Sequence, residues 1–216
     1  AQIGCNQHQL LDWFYDSSYP RFPMATLPPI TVFDVETTGL DPKKGHRIIE
    51  IAGLRIDNGI VDESRSFISL VNPEREIPWE AQRVNKIKDE DVKTAPTIDQ
   101  VLPQFLDFAK GSILLAHNAG FDMGFLECEK EFCWGYIDLP ECFCTMQLSR
   151  TLYPREFSHS LDNVSRRLNL TIPQARHRAL PDVVLTAQAL MKMTDAAGIS
   201  SIDELRKKAS IGLVRR

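Results

Sequence analysis

The chain has 216 residues, and its 43% hydrophobic and 25% charged content is typical of a globular protein with a full core. No apolar run approaches the roughly 18 residues that span a bilayer, and no basic-then-apolar leader opens the sequence, so we expect no membrane segment. Five cysteines, an odd number, favour reduced thiols and a cytoplasmic location over a disulfide framework.

The first 29 residues differ in composition from the rest of the chain. The segment LLDWFYDSSYPRFP is aromatic and interrupted by proline, and it leads into LPPI. This pattern predicts a short amphipathic helix near residues 9–15, followed by an extended linker. The resulting N-terminal arm, residues 1–29, either packs on the domain that follows or docks on a partner protein.

A regular pattern of strands begins at Ile30. The segments ITVFDVE, RIIEIAGLRID and IVDESRSFISLV contain many apolar and β-branched residues, which predicts three strands in succession. The sequence Asp57-Asn58-Gly59 between the second and third segments is a strong hairpin signal. The first three strands are therefore predicted to be close neighbours in one sheet.

Helices and strands alternate in the remainder of the chain. A helix is predicted over 97–111, with Thr97 as its N-cap, followed by the strand SILLAHN and a helix over 120–133. Further helices are predicted from Thr145, over 160–170 and over 181–198. Three successive strands followed by such alternation predict an α/β protein, with a mixed sheet flanked by helices on both faces.

Two carboxylates, Asp34 and Glu36, lie at the end of the first predicted strand. Because side chains alternate along a strand, both point to one face while Val35 points into the core. Unpaired charge within such an apolar run is costly, so the pair favours a metal site over an exposed acidic strand end. Residues 37–39 then turn the backbone, and their amides could meet a nucleotide.

A third carboxylate, Asp122, follows the strand in SILLAHNAGFD. Asn118 suits a helix N-cap, which places Asp122 in the first helical turn. An acidic residue there either complements the helix dipole or joins the metal site. Phe121 beside it is either a base-stacking surface or part of the core.

The fourth carboxylate, Asp182, lies in HRALPD, five residues after His177. On one helix the two would be about 140° out of phase and could not face one site. Proline is favoured in the first turn of a helix, so Pro181 predicts a helix start between them. His177 then lies on the preceding loop, where its near-neutral pKa suits a general base that activates water.

The four acidic side chains together predict a site for divalent cations. Mg²⁺ and Mn²⁺ are hard cations that prefer carboxylate oxygens, and phosphate-ester hydrolysis is the chemistry that such a site supports. A net charge of −4 would by itself disfavour nucleic acid as a partner. The four carboxylates supply −4, however, and two divalent cations would supply +4, so the total charge does not decide the question.

The motifs FDVETTG, HNAGFD and HRALPD, in this order, resemble those of the DEDD exonucleases, in the branch with a histidine in the last motif. The nearest likeness is to the proofreading (epsilon) subunits of bacterial DNA polymerase III, and it runs from about Ile30 to Leu190. The resemblance implies a ribonuclease-H-like fold, two metal ions, and removal of nucleoside 5′-monophosphates from the 3′ ends of single-stranded DNA. Proofreading or repair beside a DNA polymerase subunit is the setting that it implies.

Carried over position by position, the resemblance assigns roles to individual residues. The metal ligands would be Asp34, Glu36, Asp122 and Asp182, and His177 would activate the water. The terminal nucleotide would be held by Thr37, Thr38, Gly39, Leu40, Asn118 and Phe121. The chain would then divide into the arm, an exonuclease domain over 30–198, and a C-terminal helix and basic tail over 199–216.

Some positions depart from the family's pattern. In VNKIKDEDV, Asn85 stands for the usual histidine and Lys86 for the usual glycine, so we expect altered contacts with the substrate sugar or base. Cys144 precedes Thr145 where an aspartate is common, and Pro181 is unusual immediately before the last aspartate. None of these positions is among the five residues assigned to catalysis.

Two other functions are compatible with the same motifs. An RNA exonuclease of the oligoribonuclease or ribonuclease T type would share the five catalytic residues, so the motifs do not separate it from a DNA exonuclease. A non-catalytic module that binds nucleic acid or docks on a polymerase would keep the fold, but such modules typically lose ligands that this chain retains.

Four cysteines also fall within a short stretch: Cys128, Cys133, Cys142 and Cys144. Their C-x4-C and C-x-C spacings match structural zinc sites poorly. We therefore expect ordinary buried thiols there.

Overall fold

The computed structural model describes residues 27–173 and 177–211. Most of the predicted N-terminal arm, including the helix predicted near residues 9–15, lies outside the described residues. The end of the predicted basic tail, residues 212–216, lies outside them as well.

Five strands form one mixed sheet in the described part of the chain, in the order β3-β2-β1-β4-β5. They are β1 Ile30–Thr37, β2 Ile48–Asp57, β3 Ile60–Leu70, β4 Ile113–Ala116 and β5 Cys142–Cys144. Strands β1, β2 and β3 pair antiparallel, whereas β4 pairs parallel to both β1 and β5. The carboxyl ends of β1, β4 and β5 therefore meet at one edge of the sheet, here called the carboxyl edge.

Helices α1 to α8 complete the described residues, with short 3-10 turns at Pro42–Lys44 and Lys130–Phe132. The helices are α1 Trp79–Asn85, α2 Asp89–Val92, α3 Ile98–Phe108, α4 Ala119–Glu129, α5 Thr145–Leu152, α6 Leu161–Arg167, α7 Ala179–Ala196 and α8 Ile202–Ala209. No helix of the described ranges is both long enough and apolar enough to cross a membrane.

Different helices cover the two faces of the sheet. On one face, Val32 of β1 belongs to a core with side chains of α5, α6, α7 and α8. Its neighbour Phe33 points the other way and packs with α3 and α4. Neighbouring side chains of a strand point to opposite faces, so β1 is buried on both. The predicted mixed sheet with helices on both faces is confirmed.

The local signals at element ends are confirmed with small shifts. Asn58 and Gly59 have φ of 53° and 73°, the two positive values of a type I′ hairpin turn. Helix α7 begins at Ala179, two residues before the predicted start, and Pro181 still lies in its first turn. Strand β5 was not predicted, because three residues are too few to show a period.

The C-terminal helix α8 packs on the same core as the sheet. Its buried Leu205 and Ala209 lie in the cluster that also contains α7. Ser210, at the end of α8, forms an isolated antiparallel bridge with Phe143 of β5. The described part of the predicted C-terminal segment is therefore attached to the sheet.

Candidate active site

Three carboxylates converge at the carboxyl edge of the sheet. Asp34 and Glu36 come from β1, and Asp182 comes from the first turn of α7; one carboxylate oxygen of each lies within 4.8 Å of the others. Asp34 and Glu36 are half-buried and Asp182 is buried. Three acids that supply only oxygen ligands fit a hard divalent cation such as Mg²⁺ or Mn²⁺.

Asp122 lies beside this cluster, buried in the first turn of α4. Its Oδ1 accepts a hydrogen bond from the backbone amide of Val35, at 3.3 Å. Val35 separates Asp34 from Glu36, so Asp122 is held against the same strand, although it is not one of the three converging acids. Burial raises the pKa of Asp122 from 3.8 to about 7, and backbone hydrogen bonds partly oppose this rise.

His177 is exposed and lies two residues before α7. Its φ of 63° is left-handed, a conformation that residues other than glycine seldom adopt. Within the described residues, the structure does not bring His177 into the converging cluster. The predicted arrangement of a histidine on a loop before the helix of Asp182 is present.

Glu50 is a buried acid at this edge that the sequence analysis missed. It lies on β2 directly opposite Glu36 and accepts hydrogen bonds from Arg178 Nε at 3.0 Å and from the amide of Ala179 at 2.9 Å. Ala179 is the first residue of α7, so Glu50 fixes the start of the helix that carries Asp182. The sequence does contain a signal for this role, because a charged residue within the apolar run RIIEIAGL requires a partner.

The loop after β1 is fixed by its own side chains. Thr38 Oγ1 accepts a hydrogen bond from the amide of Arg47 at 3.0 Å and lies 3.2 Å from His46 Nδ1. A Cβ on Gly39 would lie 2.3 Å from the His46 ring, so only glycine permits this packing. Leu40 projects from the loop with 85% of its surface exposed.

A second buried acid holds the far end of this loop. Glu129, the last residue of α4, accepts hydrogen bonds from Arg47 Nε at 3.0 Å and from the amide of Ile48 at 2.9 Å. Helix α4 also carries Asp122 in its first turn. One helix thus contacts β1 at its beginning and the loop after β1 at its end.

Asn118 and Phe121 are at the start of α4. Asn118 is the N-cap, as predicted, but it has a left-handed backbone with φ of 64° and its side chain makes no capping hydrogen bond. The Asn118 side chain is exposed and Phe121 is half-buried. The centroid of the Phe121 ring lies 5.0 Å from that of the buried Phe125. Phe121 therefore packs against the core and also keeps part of its ring exposed.

Asn85, which departs from the family pattern, and Thr145, which directly follows another departure at Cys144, both have structural roles. Asn85 is buried, donates from Nδ2 to the carbonyl of Thr37 at 3.4 Å and accepts from the amide of Ile87 at 3.0 Å. Thr145 is also buried, with Oγ1 2.9 Å from His117 Nδ1 at the end of β4. Asn85 therefore links the end of α1 to the end of β1.

In comparison with known proteins, a family model described as Exonuclease matches residues 31–190. A DNA polymerase III subunit epsilon-like protein of Rhodobacter capsulatus is 43% identical over 182 residues, which cover 84% of this chain and 26% of that protein. The DNA polymerase III subunit epsilon of Rickettsia felis is 33% identical over 168 residues, which cover 76% of this chain and 72% of that protein. The chain thus spans about a quarter of the first relative and most of the second.

Solved structures share the fold. Exonuclease X, solved in complex with 5′-overhanging duplex DNA, superposes with a TM-score of 0.65 at 28% identity, over 82% of this chain and 98% of that one. The nuclease domain of 3′hExo, a DEDDh family member bound to rAMP, gives a TM-score of 0.69 at 20% identity, over 80% of this chain and 94% of that one. The ribonuclease-H-like fold predicted from the sequence is confirmed.

We predict that Glu50→Gln lowers the free energy of unfolding by about 2 kcal/mol, because Arg178 loses its ionic partner in a partly buried setting. Urea denaturation measures this change. The control is Glu141→Gln, which removes the partner of Arg206 from an exposed pair and should cost below about 1 kcal/mol. Equal losses in the two variants would contradict the anchoring role of Glu50.

We predict that Asp122 makes the metal-free protein less stable as pH rises. Its pKa is about 7 in the folded state and near 3.8 when unfolded, so only the folded state keeps the proton between these values. Stability then falls across this window by about 1.4 kcal/mol per pH unit. Asp122→Asn removes this titration, and its stability should fall less between about pH 5 and about pH 8.

The measurement for Asp122 is urea denaturation in EDTA at both pH values, for the native chain and for Asp122→Asn. Asp195→Asn is the matched control, since Asp195 is exposed at the end of α7. The quantity of interest is the difference between proteins, because other groups titrate too. The same pH dependence in all three proteins would refute the prediction.

Proposed function

The chain belongs to the exonuclease family, and from that premise we propose that it is a metal-dependent 3′–5′ exonuclease acting on single-stranded DNA. The observation that carries the proposal is the convergence of Asp34, Glu36 and Asp182 within 4.8 Å. Asp34 and Glu36 come from the first sequence motif, and Asp182 comes from the last. The proposed product is a nucleoside 5′-monophosphate.

In this proposal four carboxylates hold two divalent cations, Mg²⁺ or Mn²⁺: Asp34, Glu36, Asp122 and Asp182. Such cations polarise a phosphodiester and lower the pKa of an attacking water. Asp122 supports the proposal because its raised pKa reflects a charged form that burial penalises, and a nearby cation would favour that form. The residues present therefore suit the ions.

His177 is proposed to accept the proton of the attacking water. It is exposed on the segment just before α7, and Asp182 lies five residues further on. Arg178, between them, is bound to the buried Glu50, so the segment is attached to β2 on one side of His177. A histidine in this position can approach the scissile phosphate when substrate binds.

The loop after β1 is proposed to hold the terminal nucleotide, together with the start of α4. The contributing residues are Thr37, Thr38, Gly39, Leu40, Asn118 and Phe121. The internal hydrogen bonds of Thr38 keep this loop in place, and the exposed Leu40 offers an apolar surface to a base. The exposed Asn118 side chain makes no capping hydrogen bond, so it can contact the nucleotide.

DNA is the proposed substrate because the two relatives described above are named as a DNA polymerase III subunit epsilon and an epsilon-like protein. The same names support a role in proofreading or repair, beside a DNA polymerase subunit in the cytoplasm. The test is degradation of 5′-labelled single-stranded DNA and RNA of equal length, with Mg²⁺, Mn²⁺ or EDTA. Stepwise shortening of DNA from its 3′ end, abolished by EDTA, is the expected result.

We predict that Asp182→Ala reduces hydrolysis at least a hundredfold, by roughly the effect of losing one key electrostatic group, while the protein stays folded. The variant removes a ligand and little core volume. Oligonucleotide shortening and circular dichroism measure the two properties. Asp195→Ala, at the exposed end of the same helix, is the control and should retain activity. Near-normal turnover by Asp182→Ala would refute the assignment.

We predict that His177→Ala lowers kcat by about a hundredfold or more, because general-base catalysis typically contributes that much. Its affinity for Mn²⁺ should change little, since the histidine is not assigned as a ligand. Single-turnover hydrolysis measures the rate of the chemical step, and calorimetric titration with Mn²⁺ measures the affinity for the metal. Loss of Mn²⁺ binding in His177→Ala would make the residue a ligand and contradict its assigned role.

A further inference from the structure

Helix α1 and the residue that ends it carry three exposed aromatic and basic side chains, here called the α1 stripe: Trp79, Arg83 and Lys86. Trp79 and Arg83 are four residues apart and so lie on one face of the helix, and Lys86 is its C-cap. Trp79 is 63% exposed, and the carbon of the Arg83 guanidinium lies 5.1 Å from the centroid of its ring. The cation and the ring thus form one continuous surface.

The α1 stripe is joined directly to the candidate active site. Asn85, one residue before Lys86, donates to the carbonyl of Thr37 at 3.4 Å. Thr37 follows Glu36, one of the three converging acids. A nucleic-acid strand that reaches the cluster therefore has the α1 stripe close beside it.

Lys86 has an unusual backbone for its residue type. Its φ of 61° and ψ of 18° are left-handed, a conformation that glycine adopts far more readily than lysine. The related family usually has glycine at this position. Backbone strain of this kind is concentrated at functional sites, and this favours a functional role for the Lys86 side chain.

The α1 stripe itself carries positive charge, whereas the three residues that follow Lys88 are acidic: Asp89, Glu90 and Asp91. Over residues 79–88 there are three basic side chains, Arg83, Lys86 and Lys88, and one acidic side chain, Glu80. Asp89, which follows, uses its carboxylate to accept hydrogen bonds from the amide of Ile77 and from Gln82. A polyanion is the complementary partner.

We propose that the α1 stripe binds the single strand just 5′ of its terminal nucleotide. A base stacks on Trp79, and backbone phosphates contact Arg83 and Lys86. Aromatic platforms combined with basic side chains are the usual means of binding single strands without sequence preference. The inference rests on the proposed function, since it extends the same site by the next few nucleotides.

The experiment compares a short and a long substrate. The short one is the p-nitrophenyl ester of thymidine 5′-monophosphate, and the long one is an oligothymidylate of about twelve nucleotides. The variants are Trp79→Ala, Arg83→Gln and Lys86→Gly. We expect Trp79→Ala to raise the ratio of long-substrate KM to short-substrate KM by about tenfold, the loss of one stacked base.

Salt dependence separates the two basic residues from the aromatic one. A plot of log affinity against log salt concentration has a negative slope. Each lysine or arginine removed from a phosphate contact should make this slope shallower by about 0.7. Lys86→Gly and Arg83→Gln should show this change for the oligothymidylate, and Trp79→Ala should not. Glycine suits the positive φ at residue 86, so this variant should fold at least as well as the native chain.

The matched control is Lys110→Ala. Lys110 is exposed just before β4, at the opposite edge of the sheet, and its loss should leave both the KM ratio and the salt slope unchanged. A wild-type KM ratio and salt slope in all three stripe variants would overturn the inference. If the native chain hydrolysed neither substrate, the proposed function would fail, and the inference with it.

Discussion

Three carboxylates held within 4.8 Å repel one another, and this repulsion is the constraint that the rest of the structure must satisfy. The elements that carry the three acids oppose this repulsion and so keep the geometry of the cluster. Strand β1 is buried on both faces and cannot move outward. Helix α7 is tied by its first amide to Glu50, so it cannot withdraw Asp182.

Two buried acids that are not assigned as ligands provide this support. Glu50 binds Arg178 and the start of α7, and Glu129 binds Arg47 and the start of β2. Each uses its carboxylate oxygens for an arginine and a backbone amide, which repays the cost of burying the charge. Arg178 also brings a positive charge near Glu36, and its pKa is raised chiefly by the hydrogen bond to Glu50. The acids at the centre of the site therefore carry its negative charge, whereas the buried acids around them, Glu50 and Glu129, are each neutralised by an arginine.

The sequence was sufficient to predict strands β1 to β4, the starts of helices α3 to α7 to within two residues, and the family. The resemblance to the DEDD exonucleases is confirmed by the comparisons. Pro181 alone predicted that a helix begins between His177 and Asp182, because proline is favoured in the first turn of a helix. Asp34 and Glu36 were predicted to share a face by strand alternation, and they do.

The contacts between distant segments were not predictable in the same way. The hydrogen bond from Val35 to Asp122 and the pairing of Glu50 with Arg178 join residues 87 and 128 positions apart. No local sequence pattern predicts contacts between residues so far apart in the sequence. The start of α7 at Ala179 has the same origin, because Glu50 accepts the first amide of the helix and so replaces a side-chain cap. Periodicity predicts elements, whereas these contacts depend on how the sheet brings β2 and α7 together.

The pair Asn85 and Lys86 shows how two departures from a family pattern can act as one change. Asn85 uses both ends of its amide inside the protein, on Thr37 and on Ile87, so it serves structure where the family usually has a histidine. The next residue is then held in a left-handed conformation at the end of α1. The exposed Lys86 side chain starts from this fixed point, and its Nζ donates a hydrogen bond to the carbonyl of Arg83. The buried asparagine thus fixes the position from which the lysine presents its charge.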